Sequence, residues 1–512
     1  MLRNLLSFDG RYRILHMTWF AFFLTFVIWF NFAPLATTVK EQMGLSEDQI
    51  RTLAICNVAL TVPSRVIIGI LLDKYGPRLT YSILLVFSVI PCMMFALANN
   101  FSMLVVSRLL LGIVGAGFVI GIRMVSEWFP PREVGFAEGI YGGWGNFGSA
   151  FSAFTLPSVA LGLAVFSGND ANWRLAIALT GIAGAVYGII YWFGVEDTPP
   201  GRTYHRPERH GAIEVTSRKD FWLLLAMNLP ILGVLALLAW RLSNVGFLST
   251  LQLYLVWLVL VGLYLVKAYK CWEVNKDLMR GQKYYPPEDR YDFKQVAMLE
   301  LTYVTNFGSE LAVVSMLPAF FETTFGLSAA FAGAIASSYA FMNLFSRASG
   351  GLISDRLGSR KWTMVVLLAA MGIGYLMLST VNNSWWIPAA IALTMLCSFF
   401  VQAAEGSTYS IVPLVKKRLT GQISGNVGAY GNVGAVCYLT AYSLLPSGAV
   451  GDRIFFQVLG VAGLMVAFLC WFFLKEPKNS FADDYEGYEG EEGLVAATSK
   501  IDPAGNTVQD WS

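Results

Sequence analysis

Charge is what this chain has least of. Of its 512 residues, 14% are Asp, Glu, Lys or Arg and three are histidine; soluble globules carry roughly a quarter charged residues. A soluble enzyme and a disordered protein are both excluded, because neither can do without a polar surface. The six cysteines, Cys56, Cys92, Cys271, Cys397, Cys437 and Cys470, form no CxxC pair and nearly all sit in apolar runs. They read as small buried hydrophobes, which excludes a disulfide scaffold and a metal centre. No nucleophile–base–metal set and no nucleotide-binding motif is present, so no enzyme activity, no catalytic or metal-binding residue and no cofactor is expected. A net charge of +2 excludes nucleic acid as a partner.

What is there is apolar: 55% of the residues are hydrophobic and 14% aromatic. The first long run, about 14–36, is too long for a signal-peptide core and lacks a small-residue cleavage site. Runs long enough to cross a bilayer of ~30 Å follow near 51–72, 79–98, 103–125, 136–165 and 173–194, then near 220–240 and 247–269, and finally near 297–321, 328–353, 362–381, 385–413, 421–446 and 454–474. The fold class is therefore an all-α polytopic membrane protein of about 14 spans, with the lipid bilayer as its solvent.

Alternate loops are basic. Arg11 and Arg13, Lys74 and Arg78, Arg132, Arg202 to Lys219, Lys276 to Lys294, Arg356 to Lys361 and Lys416 to Arg418 lie on one side; the loops between them are almost bare. The positive-inside rule puts the basic set and both termini in the cytoplasm of a plasma (inner) membrane. The pair near 220–269 is basic on both flanks, so it goes out and returns, and parity is preserved. The expected organisation is a six-helix bundle over 1–195, basic linkers with an inserted hairpin over 196–296, a second six-helix bundle over 297–474, and an acidic, disordered tail over 475–512.

The halves repeat. Ser64-Arg65, Gly69, Asp73-Lys74, Gly76 and Arg78 match Ser346-Arg347, Gly351, Asp355-Arg356, Gly358 and Arg360 at one constant offset. A second pair sets Gly142, Gly143, Gly145, Asn146 and Gly148 against Gly428, Ala429, Gly431, Asn432 and Gly434. Duplicated six-helix halves are a transporter architecture, with the substrate site between them near the midplane.

The first motif resembles the loop motif of the major facilitator superfamily. It implies that fold and a cytoplasmic gate made of Gly69, Asp73, Lys74, Gly76 and Arg78 with Gly351, Asp355, Arg356, Gly358 and Arg360. The paired glycine-rich segments resemble the signatures of the nitrate/nitrite porter family, and are closest to those of cyanobacterial nitrate permeases. Arg65 and Arg347 fall where that family has its two substrate arginines. The resemblance further implies Asn146 as a substrate ligand, Asn432 more weakly, and Phe118, Tyr303 and Phe307 as pocket aromatics. It carries no role to the inserted hairpin, which is expected to be dispensable for substrate recognition because it lies outside the repeat. Arg108 with Gly112 resembles a generic fold motif.

Apart from the resemblance, Arg65 and Arg347 each precede an Asp at the helix end by eight residues, about 12 Å along a helix and so near mid-membrane. An intramembrane arginine costs at least ~2.5–3.5 kcal/mol. Two at equivalent positions repel each other unless something anionic lies between them, and the guanidinium fork fits a planar oxyanion. The other reading is that a carbonyl or a carboxylate satisfies each one. The glycines suit close helix packing; a mid-membrane amide such as Asn146 needs a partner. Glu127, Glu300, Glu310 and Glu405 are the carboxylates available to pair with basic groups or to carry protons.

The function expected is secondary active transport of nitrate and nitrite by alternating access, by proton symport or by nitrate/nitrite exchange, with a monomer as the working unit. The alternative is a facilitator for another small organic or inorganic anion. A membrane sensor would append a soluble signalling domain that this tail does not resemble.

Overall fold

Backbone groups have no water to bond in hydrocarbon, so long apolar runs must close their own hydrogen bonds as helix. The computed structural model describes residues 5–166, 171–204, 206–207, 211–287, 289–327, 329–446 and 448–482, and every regular element among them is a helix. The spans are α1 (Gly10–Met43), α2 (Asp48–Tyr75), α3 (Pro77–Ala96), α4 (Phe101–Trp128), α5 (Pro131–Gly162), α6 (Trp173–Gly194), α7 (Arg218–Asn244), α8 (Thr250–Arg280), α9 (Phe293–Phe325), α10 (Ala329–Phe341 and Asn343–Arg356), α11 (Arg360–Leu378), α12 (Ile387–Val415), α13 (Thr420–Leu444) and α14 (Ala449–Phe473). Eleven of these, among the described residues, are long and apolar enough by composition alone to cross a membrane. The three that are not, α5, α10 and α13, carry Asn146, Arg347 and Asn432. α5 and α13 are buried over most of their length, which removes the need for an apolar surface there.

Several spans are broken where the sequence demands it. Pro34 sits in the 3-10 turn Ala33–Leu35 of α1, and Pro230 opens the second piece of α7; a ring without an N–H cannot continue the ladder. In α4 a 3-10 stretch spans Gly112–Ala116. The breaks in α2 at Leu60 and in α10 at Met342 each lie five residues before the arginine of the repeat, so the backbone repeats as well as the sequence.

The contacts cross over. α5 packs on α1 and also on α10; α13 packs on α9 and also on α2. Glycine permits both crossings. A Cβ on Gly139 would stand 2.6 Å from the Arg347 carbonyl oxygen, and one on Gly425, Gly69 or Gly351 would run into the backbone of Arg65, Gly421 or Gly135. These contacts close the end of the molecule that bears the basic loops. A cavity of about 510 Å³ extends toward the other end, past Pro34 and Pro318.

The first helix of the inserted hairpin is not peripheral, whereas the second is. Ile231 and Val234 of α7 share one apolar cluster with Val62 and Val66 of α2 and with Ala429, Tyr430, Val433 and Val436 of α13. The Tyr430 hydroxyl donates to the Met227 carbonyl. α7 therefore lies over the α2–α13 crossing, while α8 leaves Tyr254, Leu255, Leu258 and Val259 exposed. α8 also runs past 269 to Arg280, supported by a Lys270–Glu273 pair at 2.7 Å and ended by Gly281 at φ 77°. The linkers fold onto the basic end, where Glu214 holds Lys283 at 2.8 Å and Arg418 at 3.2 Å, and Asp289 holds Lys416 and Arg418.

The start of the expected disordered tail is ordered. Glu476 accepts from the Arg360 and Lys361 N–H groups at 2.8 and 3.0 Å, which caps α11. A carboxylate is favoured at the exposed N–H groups of a helix N-terminus, so the acidic character of this segment anchors it. The remaining acidic residues of the tail, 483–512, lie outside the described residues.

Gly351→Ala is expected to lower the thermal midpoint of the purified protein, since a new methyl against backbone costs about 1–3 kcal/mol. Gly262→Ala, where a Cβ meets nothing within 4 Å, should leave it unchanged or raise it. Thermal unfolding in one detergent compares the two; equal midpoints would contradict the packing described.

Candidate functional site

Arg65 and Arg347 are both fully buried, 0% and 2% exposed. Arg65 donates from Nε to the Gly115 carbonyl at 3.2 Å and from Nη1 to the Gly428 carbonyl at 2.6 Å. The first acceptor lies in the 3-10 stretch of α4, the second in α13, so Arg65 bridges the first six spans to the last six. Its Nη2 has no hydrogen-bond partner, and among the described residues no carboxylate pairs with it.

Arg347 is held quite differently. Its Nε donates to Asn343 Oδ1 at 2.9 Å. Its Nη2 pairs with Glu310 at 3.4 Å and with Glu405. Asn146, with its amide oxygen turned toward Arg347, accepts from Nη2 at 2.6 Å and Nε at 3.0 Å. Glu310 also accepts from Asn343 at 2.6 Å and Gln402 at 3.1 Å. The expected mutual repulsion of two uncompensated arginines therefore does not describe this state: Arg347 is answered by carboxylates, and only Arg65 keeps its charge unanswered. A symmetric repeat has produced an asymmetric pair, because Glu310 and Glu405 come from α9 and α12, outside the repeated motifs.

The rings converge on these cations. Phe118 stands 5.5 Å from the Arg65 guanidinium carbon and 6.0 Å from that of Arg347; Phe307 stands 5.5 and 5.6 Å from the same two. The faces of both rings carry negative potential toward the guanidinium groups. Tyr303 lies parallel to Phe307 with centroids 5.0 Å apart and parallel to Phe118 at 6.3 Å. Tyr409 meets Phe118 and Tyr303 edge-on, at 4.6 and 5.0 Å. The 510 Å³ cavity ends here, on Asn146, Phe307, Glu310 and Asn343.

Each signature glycine lies at a close contact. Gly142 and Gly428 pack on the Arg347 and Arg65 side chains, with a Cβ at 3.5 and 3.2 Å from the respective Cδ. Gly431 packs on Tyr303 and Phe307, Gly143 on the Asn343 carbonyl, Gly145 on the Phe22 ring, Gly148 on the Phe23 carbonyl and Gly434 on Val304 backbone. Asn432 is not the counterpart of Asn146. Its Nδ2 donates to the Gly428 carbonyl at 3.3 Å, the acceptor it shares with Arg65, and its Oδ1 has no partner.

At the basic end the two aspartates of the repeat act across the crossings. Asp73 accepts from the Gly421 and Gln422 N–H groups, both at 2.9 Å, at the N-terminus of α13. Asp355 accepts from the Phe136 N–H at 2.7 Å, near the N-terminus of α5. Each is a charge-assisted latch on the opposite half. Arg123 stands 3.9 Å from Asp73 and pairs with Glu127 at 2.7 Å; Arg360 pairs with Asp355 at 2.9 Å. Arg78 instead donates from its backbone N–H to Asp197 Oδ1 and from Nε to the Trp192 carbonyl, both at 2.7 Å. Gly76 and Gly358 end their helices at φ 88° and 67°. Lys74 and Arg356 are exposed, outside the latch.

Sequence reasoning missed Asn343, Gln402 and Tyr409, and named Glu310 and Glu405 without a partner. The signal was helical spacing: Glu310 follows Phe307 by three, Tyr409 follows Glu405 by four and Arg347 follows Asn343 by four, so each pair shares a face.

A family model described as Major Facilitator Superfamily matches residues 18–269 and 299–506. The chain is 62% identical to the nitrate/nitrite transporter NrtP of Picosynechococcus sp., over 95% of this chain and 97% of that one. It is 58% identical to the nitrate/nitrite transporter NrtP of Nostoc punctiforme, over 96% and 98%. Among solved structures it resembles the proton:xylose symporter XylE, with a TM-score of 0.60, 15% identity, and 91% and 96% of the two chains covered.

Asp73→Asn leaves one acceptor where two N–H groups are bonded, a loss of about 1–3 kcal/mol. It is expected to loosen the basic end. A cysteine at Ser424, buried behind the latch, should then react with a polar thiol reagent several-fold faster than in the Ser424→Cys protein alone, above the background of exposed Cys437. An unchanged rate would remove Asp73 from the latch.

Proposed function

The chain belongs to the Major Facilitator Superfamily, and from that premise we propose that it carries nitrate, and nitrite with it, through a multi-pass membrane fold by alternating access. It is a transporter and not an enzyme. The observation that carries the substrate reading is Arg65: a buried guanidinium with two of its donors on backbone carbonyls and, among the described residues, Nη2 unpartnered and no carboxylate paired with it. Such a group invites an anion, and a planar fork between flat rings favours a planar one.

In this reading nitrate enters the 510 Å³ cavity and binds Arg65 and Arg347 between Phe118 and Phe307, with Asn146 and Tyr303 completing the shell. The state described is closed at the basic end, which is the cytoplasmic end by the positive-inside rule, so the cavity faces outward across the plasma membrane and both termini are inside. The anion contributes the contacts that let the two six-helix units, 1–195 and 297–474, rock about the site while the Asp73 and Asp355 latches release. A single chain supplies both halves, so a monomer suffices.

Uptake of an anion against an inside-negative potential costs about 2.3 kcal/mol per 100 mV. Two carboxylates on one guanidinium supply a means of coupling: protonation of Glu405 or Glu310 frees Arg347 for the anion, and departure of the anion returns Arg347 to the carboxylates. This favours proton symport, with at least two protons per nitrate, over nitrate/nitrite exchange, which is electroneutral and needs none.

Arg65→Lys and Arg347→Lys keep the charge but lose the fork, and each is expected to lower kcat/KM for nitrate by about tenfold or more in a protein that still folds. Wild-type-like kinetics in either would remove that arginine from the site.

Proteoliposomes with an imposed inward proton gradient should accumulate nitrate. Glu405→Gln should abolish gradient-driven accumulation while sparing counterflow of nitrate against nitrite. Accumulation that survives the substitution would take the proton away from Glu405, and transport indifferent to the gradient would favour exchange.

A further inference from the structure

Glu138 of α5 is 2% exposed, and neither of its carboxyl oxygens has a hydrogen-bond partner. Among the described residues no basic group pairs with it. It stands eight residues before Asn146 on the same helix, about 12 Å nearer the basic end. One turn on from it, Gly142 packs on the Arg347 and Phe118 side chains. Glu138 therefore lies between the site and the cytoplasm, in the part of the molecule that the α5–α10 crossing closes. Gly139, the next residue, meets the Arg347 carbonyl and the Ala348 backbone there.

The bases on the helices packed against α5 pair elsewhere. From α1, Arg11 pairs with Glu133, and from α4, Arg123 pairs with Glu127, both at 2.7 Å. From α10, Arg360 pairs with Asp355 at 2.9 Å, and Arg347 with Glu310 and Glu405. The titratable groups within electrostatic reach of Glu138 are phenols, Tyr141 on its own helix and Tyr409 on α12. Tyr141 donates to the Phe118 carbonyl at 2.9 Å and meets the Tyr81 hydroxyl of α3 at 3.3 Å; Tyr191 of α6 packs on Tyr81. A bare carboxylate with neither a cation nor a donor beside it is far less stable here than in water, so in this closed state the group carries its proton. The latch aspartates are the opposite case: Asp73 and Asp355 accept from backbone N–H groups, so losing a proton strengthens them.

We infer that Glu138 is a proton-binding site of the closed cytoplasmic end: that end closes with a proton on this carboxyl, and opening it to water releases the proton to the cytoplasm. The inference rests on the alternating-access reading above. The site is separate from Glu310 and Glu405, which hold Arg347. The closed state binds one proton more than the open state, so it loses population as pH rises. An acid cytoplasm favours the closed end and an alkaline one the open end, and cytoplasmic pH sets how readily the empty transporter turns outward again.

The test is the reaction of Ser424→Cys, buried behind the Asp73 latch, with a polar thiol reagent, since both crossings open together in the proposed cycle. The rate is measured with and without Glu138→Gln from about pH 6 to about pH 8, above the background of exposed Cys437. Glutamine keeps the shape of the neutral acid and has no proton to lose. The thiolate fraction is common to both proteins and cancels in the ratio of their rates. The rate in Ser424→Cys over that in Ser424→Cys with Glu138→Gln should climb with pH, toward tenfold per pH unit, about the limit for a single proton. Glu138→Asp in place of Glu138→Gln should keep the pH response of the unsubstituted carboxyl. A ratio that stays flat or falls with pH overturns the inference. Should Glu138→Gln fail to insert, Glu138→Met carries the same comparison with the same two outcomes. Nitrate uptake missing from the unsubstituted protein overturns this inference and the transport reading together; uptake present with a flat ratio overturns this one alone.

Discussion

Arg65 is a buried cation with no carboxylate paired to it among the described residues, and the arrangement around it follows from that. Solvation of the guanidinium has been exchanged for two carbonyl dipoles, one from Gly115 and one from Gly428, and for the ring faces of Phe118 and Phe307. Carbonyls and rings stabilise a cation without neutralising it. An anion that enters the site therefore meets a charge already desolvated and already oriented, and little reorganisation is left to oppose binding.

The backbone that allows this is built from close approaches. Gly142 and Gly428 each leave room for the arginine side chain of the opposite half, and Gly139 and Gly425 admit that half's backbone beside them. The same helices continue to the basic end, where Asp73 seats on the first-turn N–H groups of α13 and Asp355 accepts from the Phe136 N–H in the second turn of α5. Site and latch are thus two ends of the same helix pairs, α2 with α13 and α10 with α5. In the proposed cycle, a change in what occupies the arginines is felt at the latch through four rigid helices. In the same proposal the asymmetry between the arginines divides the labour: Arg65 supplies charge at all times, while Arg347 is shared between carboxylates and the anion.

Much of this was legible in the sequence. The repeat located Arg65 and Arg347 because an intramembrane charge is costly and a symmetric pair of them is not accidental. Phe118, Tyr303 and Phe307 do converge on them. What was not legible was pairing. A sequence shows that Glu310 and Glu405 lie within spans but not which helix each one faces, so their hold on Arg347 needed the structure. The same limit hid the position of the hairpin: its hydropathy marks it as a span pair, while its seat over the α2–α13 crossing depends on Ile231 and Val234 meeting Val62 and Val433. Asn432, the weaker of the two amide candidates in the sequence, differs from Asn146 in what it touches: it donates to the Gly428 carbonyl and does not reach Arg347.

The most direct test of the central claim is a structure of the protein with nitrate bound. The account predicts an anion between the Phe118 and Phe307 rings, with one oxygen at about 2.7–3.2 Å from Arg65 Nη2 and another within reach of Arg347, and with Glu405 or Glu310 drawn away from that guanidinium. An anion that makes no contact with Arg65, or that leaves both carboxylates unchanged on Arg347, would contradict it.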